Sequence, residues 1–137
     1  MSTRANIIIE DGYDKLYFYR HSDGYPSGVK ESLDRFVDMV RNGSIRNNVV
    51  QASGWLILIG AAEYDYNHDI ESNEYGRELN TGIQDLLSKN GKGYSDWKVG
   101  AYEPTTEIHG DIDHLYVVNL QEIEWKEIPK NEWIKYQ

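Results

Sequence analysis

The chain has 137 residues with 39% hydrophobic content, which is the length and composition of one globular domain rather than a disordered segment. Its 14 basic and 23 acidic side chains give a formal net charge of -9 at pH 7, so the field around it repels polyanions and disfavours generic DNA or RNA binding. The absence of cysteine excludes disulfides, thiolate nucleophiles and cysteine-based zinc sites.

The first predicted element is a β-hairpin. Residues 5–10 are short and β-branched, and residues 15–21 alternate with period two after a glycine turn. On the second strand the alternation places Leu16, Phe18 and Arg20 on one face, and Tyr17, Tyr19 and His21 on the other. The Leu16 and Phe18 face is expected to meet the core, which leaves Arg20 at its end in need of a partner or a ligand.

A helix is predicted to follow Pro26, with Ser27 as its N-cap and Gly43 at its end. It carries an apolar stripe at helical spacing: Val29, Leu33, Phe36, Val37 and Val40. After a loop at residues 43–51, the consecutive apolar residues from Gly54 to Gly60 predict a central strand that is covered on both faces.

The second half of the chain predicts a mixture of loops, one helix and three strands. Residues 61–76 are expected to form an exposed acidic loop, and a second helix is predicted over Leu79, Ile83, Leu86 and Leu87. Strands are predicted at residues 97–102, 114–120 and 123–128. The whole chain, residues 1–137, is therefore predicted to be a single α+β domain with a mainly antiparallel sheet of about five strands and two helices packed on it.

The densest chemistry lies between Tyr19 and Gly28, where an arginine, a histidine, an aspartate and two tyrosines surround a turn. A strand end that leads into a helix N-terminus presents backbone N–H groups that favour an anion, which Arg20 could grip. Alternatively, Asp23 orients His21 as a general base. The third interpretation is a structural turn, with Asp23 bound to local amides and Gly24 at positive φ.

A second group of polar side chains lies between His109 and His114. His109, Asp111, Asp113 and His114 offer four nitrogen and oxygen donors within six residues. The spacing matches no metal motif, so a solvated loop is the preferred interpretation. No metal and no cofactor are predicted.

The segment Ser2-Thr3-Arg4-Ala5-Asn6-Ile7, followed by Tyr19-Arg20-His21-x-Asp23-Gly24-Tyr25-Pro26-x-Gly28, resembles a family of small bacteriophage and bacterial proteins that usually carry no assigned function. The resemblance is specific over this N-terminal part and extends afterwards only to the general order of strands and helices. It implies a site and a phage-like context, but no reaction. Because Arg4 and Arg20 lie on strands that are predicted to pair, the two guanidiniums are expected to converge near one turn.

The leading hypothesis is a phage-type counter-defence protein that sequesters a small anionic, nucleotide-like signal without turnover. The predicted ligand-binding residues are Arg4, Tyr19, Arg20, His21, Asp23, Gly24 and Tyr25. The first alternative is an acidic inhibitor whose surface around residues 63–74 docks on a basic host protein in place of nucleic acid. The second alternative is a small hydrolase or phosphodiesterase that uses His21 and Asp23.

Location and assembly follow from simpler features. The N-terminal apolar run is only Ile7 to Ile9, far short of a secretory signal or a membrane span. A cytoplasmic protein without a membrane or nucleic-acid partner is predicted, in the host cytoplasm if the chain is phage-encoded. The 11 tyrosines and an exposed strand edge make a homodimer a reasonable expectation.

Overall fold

The computed structural model describes residues 3–68 and 101–137. Five strands form one sheet: β1 (Ala5–Glu10), β2 (Lys15–Arg20), β3 (Glu103–Thr105), β4 (His114–Asn119) and β5 (Glu124–Glu127). Their spatial order is β3-β2-β1-β4-β5, with β1 and β4 parallel and the other neighbours antiparallel. The helices are α1 (Pro26–Arg41), α2 (Val49–His68) and a C-terminal 3-10 helix (Lys130–Tyr136). The predicted α+β class with a mainly antiparallel sheet is confirmed.

Both faces of the sheet are covered. Ile7 and Ile9 of β1 pack in a core with side chains of α1 and α2, whereas Ile8 belongs to a smaller cluster on the opposite face. That second cluster includes Ile112 from the β3–β4 connection and touches Trp133 of the 3-10 helix. A strand buried on both faces has no need for alternation, which explains three consecutive isoleucines in β1.

Helix α1 begins at Pro26, where proline loses nothing because the first N–H groups of a helix have no intrahelical acceptor. The N-cap is Tyr25 and not the predicted Ser27, and no side chain caps the helix. The predicted apolar stripe is buried, as expected for a helix lying on a sheet. The helix ends at Arg41, and Gly43 then adopts a φ of 86°.

The strand predicted at Gly54–Gly60 is wrong, because this run lies within helix α2. A continuous apolar run fits a buried helix as well as a buried strand. The start of the helix is fixed by Asn48, whose Oδ1 accepts a hydrogen bond from the Gln51 N–H at 3.0 Å. The buried side chains then recur at helical spacing: Val49, Ala52, Leu56 and Ile59. The ends of the two predicted loops that flank this run, residues 49–51 and 61–68, are also helical, since α2 runs from Val49 to His68.

The third strand lies a few residues after its predicted position. Residues 97–100 of the predicted strand are outside the described residues, and the observed strand is Glu103–Thr105. It forms an edge of the sheet, where Pro104 is tolerated because an outward-facing residue needs no N–H. The helix predicted over Leu79–Leu87 also lies outside the described residues. Within the described part of the chain, no helix has the length and apolar character needed to cross a membrane.

Candidate functional site

The strand order brings distant polar residues to one end of the sheet. Ala5 pairs with Arg20 on β2 and with His114 on β4, so the start of β1, the end of β2 and the start of β4 lie side by side. The residues next to these pairs, Arg4 and His21, therefore share this end. We call the group formed by Arg4, Tyr19, His21, His109 and Asp111 the polar end of the sheet.

Tyr19 is at the centre of the polar end. Its ring stacks on the imidazole of His109, with centroids 4.1 Å apart and planes 14° from parallel. Its hydroxyl lies 3.3 Å from Nδ1 of His21, which is itself exposed. The tyrosine thus connects a half-buried imidazole with an exposed one.

His109 is held in place by Asn6, a buried amide in an otherwise apolar strand. The backbone N–H of His109 donates to Oδ1 of Asn6 at 2.8 Å, and Nδ2 of Asn6 donates to the carbonyl of Phe18 at 2.9 Å. Nε2 of His109 lies 3.0 Å from Oγ1 of Thr105 on β3. Because a buried polar group costs free energy unless it is paired, this network fixes the connection between β3 and β4 against the sheet.

The environment of Tyr19 keeps its phenol protonated. Burial raises the pKa of Tyr19, and the carboxylates of Asp111 and Glu103 act in the same direction. The positive charge of the nearby Arg4 guanidinium opposes them without outweighing them. The hydroxyl therefore remains a neutral donor and acceptor at physiological pH.

Arg4 is the cation of the polar end. Its Nε lies 3.5 Å from Oδ2 of Asp111, too far for a good hydrogen bond, and this buried nitrogen has no hydrogen-bond partner among the described residues. The side chain as a whole is 37% exposed. Its backbone is firmly held, because the N–H donates to Oδ2 of Asp113 at 3.1 Å and the carbonyl accepts from the Asp113 N–H at 2.8 Å.

Arg20 lies on the other face of the sheet. It is only 2% exposed, donates from Nε to the carbonyl of Ser22 at 2.8 Å, and lies over the ring of Tyr102 at 5.0 Å. The hydroxyl of Tyr102 is hydrogen-bonded to Oγ of Ser32 on α1. Arg20 is therefore a buried positioning residue that connects the turn after β2 with helix α1.

The expected convergence of the two guanidiniums is wrong. Arg20 pairs with Ala5, whose side chain is part of the core beneath the helices. Arg4 comes immediately before Ala5, at the start of β1, and projects to the opposite face, beside Tyr19. Because successive side chains of a strand point to opposite faces, Arg4 and Arg20 lie on opposite faces of the sheet although their backbones are close.

The turn between β2 and α1 is held by backbone contacts. The Gly24 N–H donates to the carbonyl of Thr3 at 2.9 Å, and its carbonyl accepts from the hydroxyl of Tyr116 at 2.6 Å. Burial raises the pKa of Tyr116, which keeps this donor protonated. Positive φ falls on Asp23, at 57°, and not on Gly24 as predicted. Gly24 is instead required for space, because a Cβ there would lie 2.8 Å from the Cβ of Ala5.

The predicted pairing of His21 with Asp23 is not formed. The imidazole of His21 faces the hydroxyl of Tyr19, whereas Oδ1 of Asp23 accepts from the hydroxyl of Tyr25 at 3.4 Å. Both Asp23 and Tyr25 are exposed. A carboxylate that does not contact the imidazole cannot orient it as a general base.

The four donors between His109 and His114 also point to different partners. His109 contacts Thr105, Asp111 contacts Arg4, Asp113 binds the Arg4 backbone, and Nδ1 of His114 lies 2.6 Å from Oε2 of Glu127. Among the described residues, no three side chains of the metal-binding types lie close enough together to share an ion. These four side chains therefore make separate contacts and do not form one common site.

Three residues of this region were not singled out from the sequence: Asn6, His109 as a stacking partner, and Tyr102. An amide in an apolar strand was a usable signal for Asn6, because such a group must find a partner. The roles of His109 and Tyr102 depend on contacts across the sheet, for which a single sequence carries no periodic signal.

No model of a known protein family, no curated protein and no solved structure matches this chain. The chemistry of the polar end therefore follows from its own side chains.

Proposed function

We propose that the protein binds a small anionic, nucleotide-like ligand at the polar end of the sheet and releases it unchanged. The main observation behind the proposal is the exposure and hydrogen bonding of the Arg4 side chain. Its guanidinium is partly exposed, and its buried Nε has no hydrogen-bond partner among the described residues. Phosphate oxygens would supply the missing acceptor, because guanidinium pairs with phosphate through two parallel N–H···O bonds.

The neighbours of Arg4 support an anion as well. The Tyr19 phenol lies near the guanidinium and is kept protonated, and the exposed imidazole of His21 lies 3.3 Å from that phenol. Guanidinium, phenol and imidazole are all N–H or O–H donors. Together they offer a phosphate group several donors within one small region.

Asp111 would compete with the ligand for the guanidinium of Arg4. Its ion pair with Arg4 is long at 3.5 Å, and its side chain is 54% exposed. Exposed pairs of this kind contribute little stability, so a phosphate can replace the carboxylate at small cost. The displaced carboxylate would then be free to accept a hydrogen bond from an amino group of a base.

The remaining predicted site residues take different parts in this proposal. Arg20, buried against the ring of Tyr102, positions the turn and does not touch the ligand. Gly24 fixes the turn against β1, and Asp23 directs the exposed ring of Tyr25. Tyr25 offers a surface on which an aromatic base can stack.

Binding without turnover is favoured over hydrolysis because the polar end has no activated nucleophile. His21 faces a phenol that stays protonated, and Asp23 is directed at Tyr25. A general base needs both a proton to accept and a partner that orients it. The hydrolase alternative therefore has less support than simple binding.

The biological setting remains a proposal that rests on the resemblance to small phage proteins. A phage protein that sequesters a nucleotide signal would act in counter-defence, in the host cytoplasm. The alternative of an acidic inhibitor depends on residues 63–74, whose side chains lie outside those the structure describes. That alternative, with its basic host partner, stays a prediction.

Ligand recovery tests the proposal. The protein is purified rapidly, denatured, and its small molecules are identified by mass spectrometry, beside Arg4→Ala and the control Lys126→Ala, which removes an exposed charge on β5. We expect an intact phosphate-bearing compound with wild type and the control. Arg4→Ala should retain about 10- to 150-fold less, because a hydrogen bond to a charged group contributes about 1.5–3 kcal/mol. Equal recovery from all three proteins would contradict the proposal.

A further inference from the structure

The charges around Tyr19 are mostly negative. Glu103 lies directly opposite Tyr19 in the pairing of β2 with β3, and residues directly opposite each other place their side chains on the same face of a sheet. Asp111 lies 3.5 Å from Nε of Arg4. The charged groups that shift the pKa of Tyr19 are these two carboxylates and the Arg4 guanidinium. One positive charge is therefore set against two negative ones.

The other donors of the polar end add hydrogen bonds without a permanent positive charge. The Tyr19 phenol is neutral. The imidazole of His21 contacts the Tyr19 hydroxyl, and that of His109 contacts the Thr105 hydroxyl, so each lies beside a neutral group. Arg4 is the one residue of the polar end that is always positively charged. An anionic ligand has to be bound by a single guanidinium and several neutral donors.

The charge of a phosphate group decides how well this arrangement suits it. A phosphodiester, as in a cyclic nucleotide, carries one negative charge, whereas a phosphomonoester carries about -1.5 to -2 at pH 7. The cost of removing an ion from water grows with the square of its charge, but its attraction to one cation grows only in proportion to the charge. A guanidinium that is already shared with Asp111 therefore favours the diester.

Resting on the proposed function, we infer that the polar end selects phosphodiesters, so that its ligand is a nucleotide whose phosphates are all diesters, as in a cyclic mono- or dinucleotide. The two free oxygens of a diester match the fork of one guanidinium. A second negative charge on the phosphate would instead meet Asp111 and Glu103. The net charge of -9 also disfavours nucleic acid, whose many diesters bring many charges.

Calorimetric titration with matched pairs of nucleotides tests the inference. The pairs are the 3′,5′-cyclic and 5′-monophosphate forms of the four ribonucleosides, and cyclic di-AMP and cyclic di-GMP beside their linear forms with a free 5′-phosphate. At pH 8 a monoester is a dianion and an imidazole of ordinary pKa, about 6.5, is neutral. Wherever a pair binds, the cyclic member should bind at least about tenfold more tightly.

Asp111→Asn and Glu103→Gln identify the cause of the selection. Each removes one negative charge near Arg4 and should reduce the preference for the cyclic member by about 3- to 10-fold. The control Glu124→Gln removes the same charge at the opposite end of β4, where Glu124 pairs with Asn119, and should leave the preference unchanged. If Asp111→Asn fails to fold, Glu103→Gln on the exposed surface of an edge strand carries the test alone.

The outcomes separate this inference from the proposed function. A linear member that binds as tightly as its cyclic partner would overturn the inference and leave the proposed function standing. A preference that neither carboxylate variant reduces would overturn it too, because charge would then not be the cause. Tighter binding of an octanucleotide without terminal phosphates would assign nucleic acid as the partner and overturn it as well. No heat from any pair would contradict the proposed function, and the inference with it.

Discussion

At the scale of single residues, the N-terminal signature has a structural reason besides the proposed functional one. Gly24 lies against β1, and a Cβ on Gly28 would collide with the carbonyl oxygen of Asp23. These glycines allow the chain to pass from β2 into α1 within a few residues. The signature therefore constrains the turn whether or not the turn touches a ligand. The sequence alone could not separate these two reasons, because both favour the same residue types.

The same substitution in the two helices should have opposite effects. Gly28→Ala should lower the free energy of unfolding by about 1–3 kcal/mol, because the new methyl group forces a backbone carbonyl to move. Gly54→Ala should raise it by about 0.5–1 kcal/mol, because no atom of the described residues lies within 4 Å of the new methyl group and alanine favours the helix. Urea unfolding at low protein concentration measures both. A Gly28→Ala variant as stable as wild type would show that the turn is not close-packed.

At the scale of elements, a helix or strand was predicted correctly where the hydrophobic residues of its segment show a single clear period. The hairpin β1–β2 and helix α1 were predicted because alternation and helical spacing are visible in their residues. The Gly54–Gly60 part of helix α2 was predicted as a strand because both of its sides are apolar, which removes the period. The capping amide of Asn48 was the signal that distinguished the two. Strand β3, with three residues around a proline, has too little sequence to carry any pattern.

The contact between α1 and β5 predicts a pH dependence of stability. Burial raises the pKa of Asp34, but hydrogen bonds from the Lys30 ammonium at 2.6 Å and the Trp125 indole at 2.7 Å outweigh it and hold the pKa below its ordinary value. A lowered pKa in the folded state gives stability that is present above the ordinary value of about 4 and is lost as the pH falls through the folded value.

Asp34→Asn tests this assignment because asparagine does not titrate. Wild type should be more stable than Asp34→Asn at pH 7, and the difference in free energy of unfolding should shrink as the pH falls below about 4. The other carboxylates titrate in both proteins, so the difference isolates Asp34. A difference that is the same at pH 7 and at low pH would mean that the charge of Asp34 contributes nothing to the contact.

At the scale of the whole molecule, the fold places the positive charge of Arg4 at the polar end of the sheet, although the protein as a whole is acidic. The net charge of -9 opposes an approaching anion at long range, so any binding must come from close contacts with Arg4 and its neighbouring donors. The N-terminal signature marked Arg4, and the alternation of β2 placed Tyr19 beside His21. The stacking partner His109 comes from the opposite half of the chain, and the pairing of β3 with β2 and of β4 with β1 brings that half to the same end. The site was therefore predictable in its N-terminal part alone.

The central claim is that Arg4 holds an anionic ligand at the polar end, and calorimetric titration with a panel of linear and cyclic nucleotides tests it most directly. Wild type and Lys126→Ala should bind at least one nucleotide with equal affinity, and Arg4→Ala should bind it about 10- to 150-fold more weakly. Arg4→Ala should keep its melting temperature close to that of wild type, because the ion pair of its side chain with Asp111 is long and exposed. No heat from any nucleotide with wild type, or equal affinity in all three proteins, would contradict the claim.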